Sequence, residues 1–186
     1  WNEILSKDVV SDLITNYVVF DYGDKKGACS LKDAKKLIFP RLHQLQVVQK
    51  LTEDVAEHGV GKTYLIQHSA GSGKSNSLTW LAFKLIGLCP SNEQANRTHG
   101  LTEKIFNTVI VVTDRRILDQ QINNNFKAFG KSQSLIAHAN KAHDLQQYMQ
   151  GNVRIIVTTI QKFPIIYQDV ADLSDKNFAI IIDEAH

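Results

Sequence analysis

A glycine-rich loop lies between an apolar run and a helix-like segment. Residues 68–75 read His-Ser-Ala-Gly-Ser-Gly-Lys-Ser, and the apolar run before them, residues 64–67, is typical of a strand. Glycines let a backbone turn its N–H groups inward around phosphate oxygens, and a helix that starts at the loop adds free N–H groups that favour anions. Lys74 is predicted to reach the β- and γ-phosphates and the Ser75 hydroxyl to ligate Mg²⁺. The residues predicted to hold the nucleotide phosphates are Gly71, Ser72, Gly73, Lys74 and Ser75. The general phosphate-loop pattern, GxxxxGK[ST], has glycine where this chain has His68. The structural alternative is therefore a flexible glycine-rich turn that contains a lysine by chance.

Two carboxylates follow a second apolar run at the end of the chain. Residues 179–182 read Ala-Ile-Ile-Ile, and Asp183-Glu184-Ala185-His186 come next. In a parallel sheet the carboxyl ends of the strands open onto the rim that also carries the phosphate loop. Asp183 is therefore predicted to hold Mg²⁺, directly or through water, and Glu184 to orient or deprotonate the attacking water. A solvated strand end is the alternative for this pair alone, but together with the loop it indicates a site for ATP hydrolysis.

Apolar runs and helical spacing alternate along the chain. Leu42, Leu45, Val48 and Leu51 predict an amphipathic helix over about 41–58, and further helices are predicted at 74–88, 116–128 and 143–149. The predicted strands are 64–67, 109–112, 134–137, 155–157 and 178–182. Several of these runs are apolar throughout, as strands buried on both faces of a parallel sheet are. The pattern predicts an α/β fold with a doubly wound, mainly parallel sheet flanked by helices.

Outside this alternation the chain is less regular. Residues 1–34 are predicted to form an arm with a short strand at 16–21, ahead of a nucleotide-binding domain at 35–186. Residues 87–107 are polar and turn-rich, which predicts an exposed loop. Cys29 and Cys89 have no metal-ligand spacing, so reduced thiols are expected. The start at Trp1 and the stop directly after a strand-like run predict a fragment.

Composition sets only broad limits on function. Hydrophobic residues make up 43% and charged residues 22%, and the formal net charge is +2. This is ordinary for a soluble globular domain and neither requires nor excludes nucleic acid. No apolar run reaches the roughly 20 residues that span a bilayer, so no membrane partner and a cytoplasmic location are expected.

The loop and the carboxylates in this order resemble the first RecA-like domain of superfamily 2 helicases and translocases. Arg41-Leu42-His43-Gln44 matches the RxxQ element of that group, in which the glutamine reads the adenine edge. The resemblance therefore implies that Gln44 recognises the base, and a side-chain amide offers the donor and acceptor that this needs. A polar residue on a helix face is the structural alternative.

Two further segments narrow the resemblance. Motif Ia of the restriction-enzyme branch is similar to residues 113–121, TDRRILDQQ, and motif Ib is similar to residues 158–163, TTIQKF. A phosphate loop with histidine at the place of His68 is typical of the motor (R, or HsdR) subunit of type I restriction-modification enzymes. The resemblance covers residues 35–186. It implies that ATP hydrolysis drives translocation on double-stranded DNA before cleavage, with methyltransferase and specificity subunits as partners. In such motors these two motifs contact the DNA backbone, which implies DNA contacts by Arg115, Thr158, Thr159 and Lys162. Asp114 as a helix cap and Thr158 as a plain strand end remain the structural alternatives.

Three other functions stay open at this point. The chain could be the first lobe of another superfamily 2 motor, such as a DNA repair or RNA helicase. It could also be a phosphotransferase for a small molecule, or a non-catalytic nucleotide-binding interaction module. Superfamily 2 motors hydrolyse ATP between two lobes, and the arginine that the second lobe supplies is worth about 10³–10⁵ in rate in related enzymes. The first lobe alone is therefore predicted to bind ATP weakly and to be nearly inactive.

Overall fold

The computed structural model describes residues 6–21, 35–69, 71–91, 103–114, 135–166, 173 and 175–183. The first part of the chain contains α1 (Lys7–Asp12), a π-helical turn (Leu13–Tyr17), β1 (Val19–Asp21), β2 (Lys36–Ile38), α2 (Leu42–His58) and α3 (Lys74–Gly87). The second part contains β3 (Thr108–Thr113), β4 (Ile136–His138), α4 (Ala142–Gln150), β5 (Ile155–Thr159), a 3₁₀ turn (Ile160–Lys162), α5 (Phe163–Ile166) and β6 (Phe178–Ile182). No helix within these ranges has the length and apolar content that crossing a membrane requires.

A four-stranded sheet in the order β4-β5-β3-β6 forms the centre of the fold. All three pairings are parallel, and every residue of β3 and β5 is buried. Alternate residues of β5 face opposite sides: Ile155 and Val157 pack in one apolar cluster with α2 and α3, and Ile156 packs in another with α4 and α5. The predicted α/β fold, with a parallel sheet between layers of helices, is confirmed.

Helix α3 runs antiparallel to the strands. Its carboxyl end is held at the edge where the strands begin, since Arg154, just before β5, donates from Nη2 to the Ile86 carbonyl at 2.5 Å. Ile105, just before β3, donates its N–H to the Leu88 carbonyl at 3.0 Å. Fourteen helical residues span about 21 Å, close to the length of the six-residue strand β3. The first residue of α3, Lys74, therefore lies at the opposite edge, where the strands end.

Helix α2 packs along α3 through its apolar face. Of the four predicted apolar positions, Leu45 and Val48 are buried, Leu51 is partly buried and Leu42 is 51% exposed, and Val55 is buried as well. The helix ends at Gly59, whose positive φ of 73° suits glycine. The predicted helices at 41–58, 74–88 and 143–149 are confirmed to within two residues, and the helix predicted at 116–128 lies outside the described residues.

The described residues of the N-terminal arm pack against α3. The predicted strand is shorter than expected, and a helix and a π-helical turn precede it. Trp80 donates its indole N–H to the Tyr17 carbonyl at 3.0 Å, and Lys84 binds Asp12 while its Nζ lies 5.1 Å from the centre of the Tyr17 ring. Burial, and secondarily Asp12, raise the pKa of the Tyr17 hydroxyl. Leu13, Tyr17 and Val19 belong to the same apolar core as the sheet, although the domain boundary at residue 35 stays a prediction.

Two local expectations are wrong. Residues 64–67 form no strand, and the Leu65 side chain is 87% exposed. Lys62 and Tyr64 instead donate to the Asp54 carboxylate on α2, at 3.1 and 2.5 Å, which holds this segment beside the helix and lowers the pKa of Asp54. The expected loop at 87–107 is not exposed throughout, because Ile105 and Phe106 are buried in the core.

Replacing Tyr17 with alanine tests whether the arm contributes to this core. The ring is fully buried against Trp80, at 5.7 Å between ring centroids, so its loss is expected to cost about 3 kcal/mol of unfolding free energy. Ile14, which is 67% exposed in the same turn, is the matched control, and its alanine variant should change stability by less than about 0.5 kcal/mol. Equal denaturant midpoints for the two variants would show that the arm is not part of the folded core.

Candidate functional site

The phosphate loop has the backbone conformation that its glycines predict. Gly71 and Gly73 have φ values of 73° and 84°, a region that other residues adopt at a cost. Gly73 is the N-cap of α3, so no capping side chain covers the first N–H groups of this helix. The Ser72 hydroxyl is buried and has no hydrogen-bond partner among the described residues. Free helix N–H groups and an unpaired hydroxyl in the same loop fit a ligand that brings several acceptor oxygens, as a phosphate chain does.

A cleft of about 360 Å³ opens beside this loop. It lies between the start of α2 and the segment leading into the loop, and its lining residues are Arg41, His43, Gln67, His68, Ser69, Gly71 and Ser72. The His43 and His68 rings meet edge to face at 5.2 Å between centroids. The RxxQ element and the phosphate loop thus share one cleft, and the histidine that replaces the usual glycine contributes a ring to its wall.

Gln44 faces the phosphate loop. Its side-chain Nε2 donates to the carbonyls of Ser72 and Gly73, at 3.1 and 2.9 Å, and its Oε1 accepts the Arg41 N–H at 2.8 Å. Only 3% of the residue is exposed, so its amide faces the loop and not solvent. Recognition of the base by Gln44 stays a prediction.

Asp183 lies at the end of β6, on the rim where α3 begins. Its N–H donates to the Val112 carbonyl at 2.9 Å, which continues the pairing of β6 with β3, and the residue is 8% exposed. Because α3 is antiparallel to the strands, Lys74 and Ser75 belong to the same edge of the sheet as this carboxylate. Glu184 lies outside the described residues.

The described ranges contain no group of three or more His, Cys, Asp or Glu side chains that could hold a metal ion. The predicted Mg²⁺ ligands, the Ser75 hydroxyl and the Asp183 carboxylate, are both oxygen donors. Magnesium usually binds proteins through one or two such groups and takes its other ligands from phosphates and water. The residues present therefore fit a Mg²⁺–nucleotide complex better than a metal site built by the protein alone.

The two segments expected to contact DNA are joined at the same rim. Thr113 at the end of β3 pairs with Thr159 at the end of β5, and Gln161 donates from Nε2 to the Asp114 carbonyl at 3.2 Å. The same nitrogen lies 3.4 Å from the Asp114 carboxylate. This link was not predicted, although both residues lie in the motifs that the sequence singles out. Arg115 lies outside the described residues, as does the helix that Asp114 could cap.

The predicted DNA contacts by two threonines do not fit this conformation. Thr158 is fully buried and Thr159 is 7% exposed, because β5 lies inside the sheet between β3 and β4. The Thr158 hydroxyl is buried within the sheet and has no hydrogen-bond partner among the described residues, and DNA contacts by Thr158 and Thr159 stay a prediction. Lys162, in the turn after β5, is partly exposed and is the better placed of the described candidates.

Comparison with known proteins gives two consistent results. The SWI2/SNF2 ATPase family matches residues 43–186. The chain is 29% identical to the endonuclease subunit of the type I restriction enzyme HindI of Haemophilus influenzae, an alignment covering 100% of this chain and 17% of that protein. It is also 29% identical to a type I restriction enzyme endonuclease subunit of Staphylococcus saprophyticus, over 81% of this chain and 15% of that protein. The chain therefore spans about one sixth of the length of these relatives.

Proposed function

The chain belongs to the SWI2/SNF2 ATPase family, and from that membership we propose that it is the first ATP-binding lobe of a DNA translocase. We place this lobe in the endonuclease subunit of a type I restriction enzyme, where ATP hydrolysis drives movement along double-stranded DNA before cleavage. The observation that carries the proposal is the shared rim: the loop that begins α3, Asp183 after β6 and the two predicted DNA-contact segments after β3 and β5 all lie at one edge of the sheet.

Each residue of the nucleotide site has a separate role in this proposal. The N–H groups of Gly71, Gly73, Lys74 and Ser75, the Ser72 hydroxyl and the Lys74 ammonium bind the β- and γ-phosphates, and Ser75 and Asp183 would hold Mg²⁺. The bound metal ion offsets negative charge on the phosphate oxygens. Glu184 orients the attacking water and accepts its proton. The chain thus positions nucleotide and water, while the arginine finger comes from a second lobe, as the superfamily resemblance implies.

We propose that the residues that couple ATP hydrolysis to DNA lie at the same edge of the sheet. Lys162 and Arg115 contact the DNA backbone, since phosphate contacts position a protein without reading sequence and so suit a motor that must step over any bases. The Gln161–Asp114 hydrogen bond ties the two DNA-contact segments together, and β3 connects both to Asp183. The two DNA-contact segments and the Asp183 carboxylate are thus joined through β3, which is the path we propose for coupling. The methyltransferase and specificity subunits, and a cytoplasmic location, belong to the same proposal.

Stimulation of ATPase activity by different nucleic acids tests the proposal. Double-stranded DNA is expected to raise the hydrolysis rate of the full-length subunit by at least about tenfold, a change of about 1.4 kcal/mol in the barrier. Single-stranded RNA with the same total number of phosphates is the control, and phosphate release is the measurement.

The alternatives give different outcomes in the same assay. Stronger stimulation by RNA would assign the lobe to another superfamily 2 motor. Nucleotide binding without hydrolysis on any nucleic acid would indicate an interaction module. Transfer of phosphate to a small-molecule acceptor would indicate a phosphotransferase.

A further inference from the structure

We propose that Gln161 is a positioning residue that fixes the spacing of the two DNA-contact segments, and this inference rests on the proposed function. The segments begin where β3 and β5 end, and the Gln161 side chain joins them by its hydrogen bond to Asp114. The residue that follows each partner in the chain, Arg115 after Asp114 and Lys162 after Gln161, is a proposed contact to DNA phosphates. The hydrogen bond thus joins the chain at the residues next to both contacts.

Gln161 extends the pairing of β3 and β5 beyond the point where the strands end. The register of this parallel ladder stops at Thr113 and Thr159. After Thr159 the chain turns into the 3₁₀ helix Ile160–Lys162, so its backbone leaves the extended conformation that strand pairing needs. The Gln161 side chain takes over, because its Nε2 donates to the Asp114 carbonyl at 3.2 Å. A side-chain amide carries the same N–H donor as a peptide, and here it continues the link between the two strands by one residue.

The Asp114 carboxylate makes this link specific for an amide. The Gln161 Nε2 lies 3.4 Å from the carboxylate Oδ1 as well as 3.2 Å from the carbonyl, so two acceptors of one residue face a nitrogen that carries two hydrogens. A glutamate at position 161 would have no hydrogen to donate and would place a negative charge beside both acceptors. An alanine would not reach them. The contact therefore requires the amide itself and not only a polar residue in the turn.

A fixed spacing lowers the cost of binding DNA with two long side chains. Lysine and arginine lose conformational freedom when they bind a phosphate, and the second contact forms readily only if the first holds it near its own phosphate. Gln161 and Asp114 are both exposed, so their hydrogen bond adds little to the buried core that stabilises the domain. Loss of the bond is therefore expected to change the affinity for DNA and hardly the stability of the fold.

The DNA concentration that gives half-maximal ATPase stimulation of the full-length subunit tests this role. Gln161→Ala is expected to raise it by about 3- to 10-fold through the lost hydrogen bonds, while the saturating rate, the rate without DNA and the unfolding midpoint stay the same. Gln161→Glu should raise it by at least about 10-fold, since repulsion from Asp114 is added. Gln147→Ala is the matched control, because Gln147 is exposed in the second turn of α4, and it should change none of these quantities.

A double substitution separates positioning from a direct contact between Gln161 and DNA. When Asp114→Asn is added to Gln161→Glu, the asparagine amide can donate to the glutamate, so donor and acceptor are exchanged and the link forms again. Half-maximal stimulation should then return to within about threefold of the wild-type value. Asparagine caps helices as well as aspartate does, so this substitution also preserves the capping role open to Asp114.

Three results would overturn the inference. A double variant as weak as Gln161→Glu would show that position 161 meets the DNA phosphates directly. Unchanged half-maximal stimulation in both single variants would remove any role for Gln161. A lower unfolding midpoint together with a lower saturating rate would make the hydrogen bond a plain stabilising contact. If double-stranded DNA failed to stimulate the wild-type subunit, the proposed function would be wrong instead.

Discussion

Replacing Lys74 with alanine is expected to abolish the ATP hydrolysis that double-stranded DNA stimulates in the full-length subunit. In the proposed site the ammonium group, at the start of α3, stabilises charge on the transferring phosphate, and removal of one such group costs about 10²–10³ in rate. Lys74 is exposed, so the substitution should change the unfolding free energy by less than about 0.5 kcal/mol. Phosphate release under saturating DNA is the measurement, with a thermal unfolding curve for each protein.

Lys50→Ala is the matched control for this substitution. Lys50 is also exposed, but it lies in the third turn of α2 and outside the phosphate loop, so its variant should keep full activity. DNA-stimulated hydrolysis that survived in Lys74→Ala would show that the phosphate loop is not the catalytic one.

Replacing Asp183 with asparagine is expected to reduce the same activity by at least about 10²-fold, since the carboxylate proposed to hold Mg²⁺ loses its charge. Asparagine keeps the shape of this buried side chain, and the backbone hydrogen bond to Val112 is unaffected. The activity that remains should need a higher Mg²⁺ concentration, because the lost charge acts on metal binding first. Hydrolysis rates measured over a Mg²⁺ titration check both points.

Asp175→Asn is the control for the carboxylate. Asp175 is exposed in the turn before β6 and should tolerate the change. If Asp183→Asn required no more Mg²⁺ than the wild-type subunit and lost little activity, the carboxylate would have a structural role at the end of β6, and the metal site would lie elsewhere.

The parallel sheet was predictable because its strands are apolar on both faces. Residues 109–112 and 155–157 contain no polar residue, and burial between two helical layers is the environment that suits such runs. Residues 64–67 were also predicted as a strand, although only Leu65 and Ile66 are aliphatic, and they form none. Apolar content indicates that a segment gains from burial, but strand pairing depends on which other segment it contacts. Here Lys62 and Tyr64 bind Asp54 on α2 instead of a neighbouring strand.

Side-chain partners across the fold were not predictable from local pattern. Gln44 lies 28 and 29 residues from the carbonyls to which it donates, and Trp80 lies 63 residues from the Tyr17 carbonyl. Such contacts follow from how helices cross, which neither periodicity nor motif spacing encodes. Burial of Thr158 was not predictable for the same reason. Its motif suggested a contact at the surface, but its position within the sheet buries it.

The sequence by itself determined the chemistry proposed for this protein. Phosphate and metal binding require glycines such as those at 71 and 73, a lysine and a serine at a helix start, and a carboxylate after an apolar strand. Each of these requirements concerns a few consecutive residues, so each can be recognised in the sequence. Only the tertiary structure decided how these groups are held. The direction of α3 brings Lys74 to the rim that carries Asp183, and α2 brings the Gln44 amide to the back of the phosphate loop. Both depend on packing between segments far apart in the chain, where burial and hydrogen-bond geometry choose among the partners that the sequence allows.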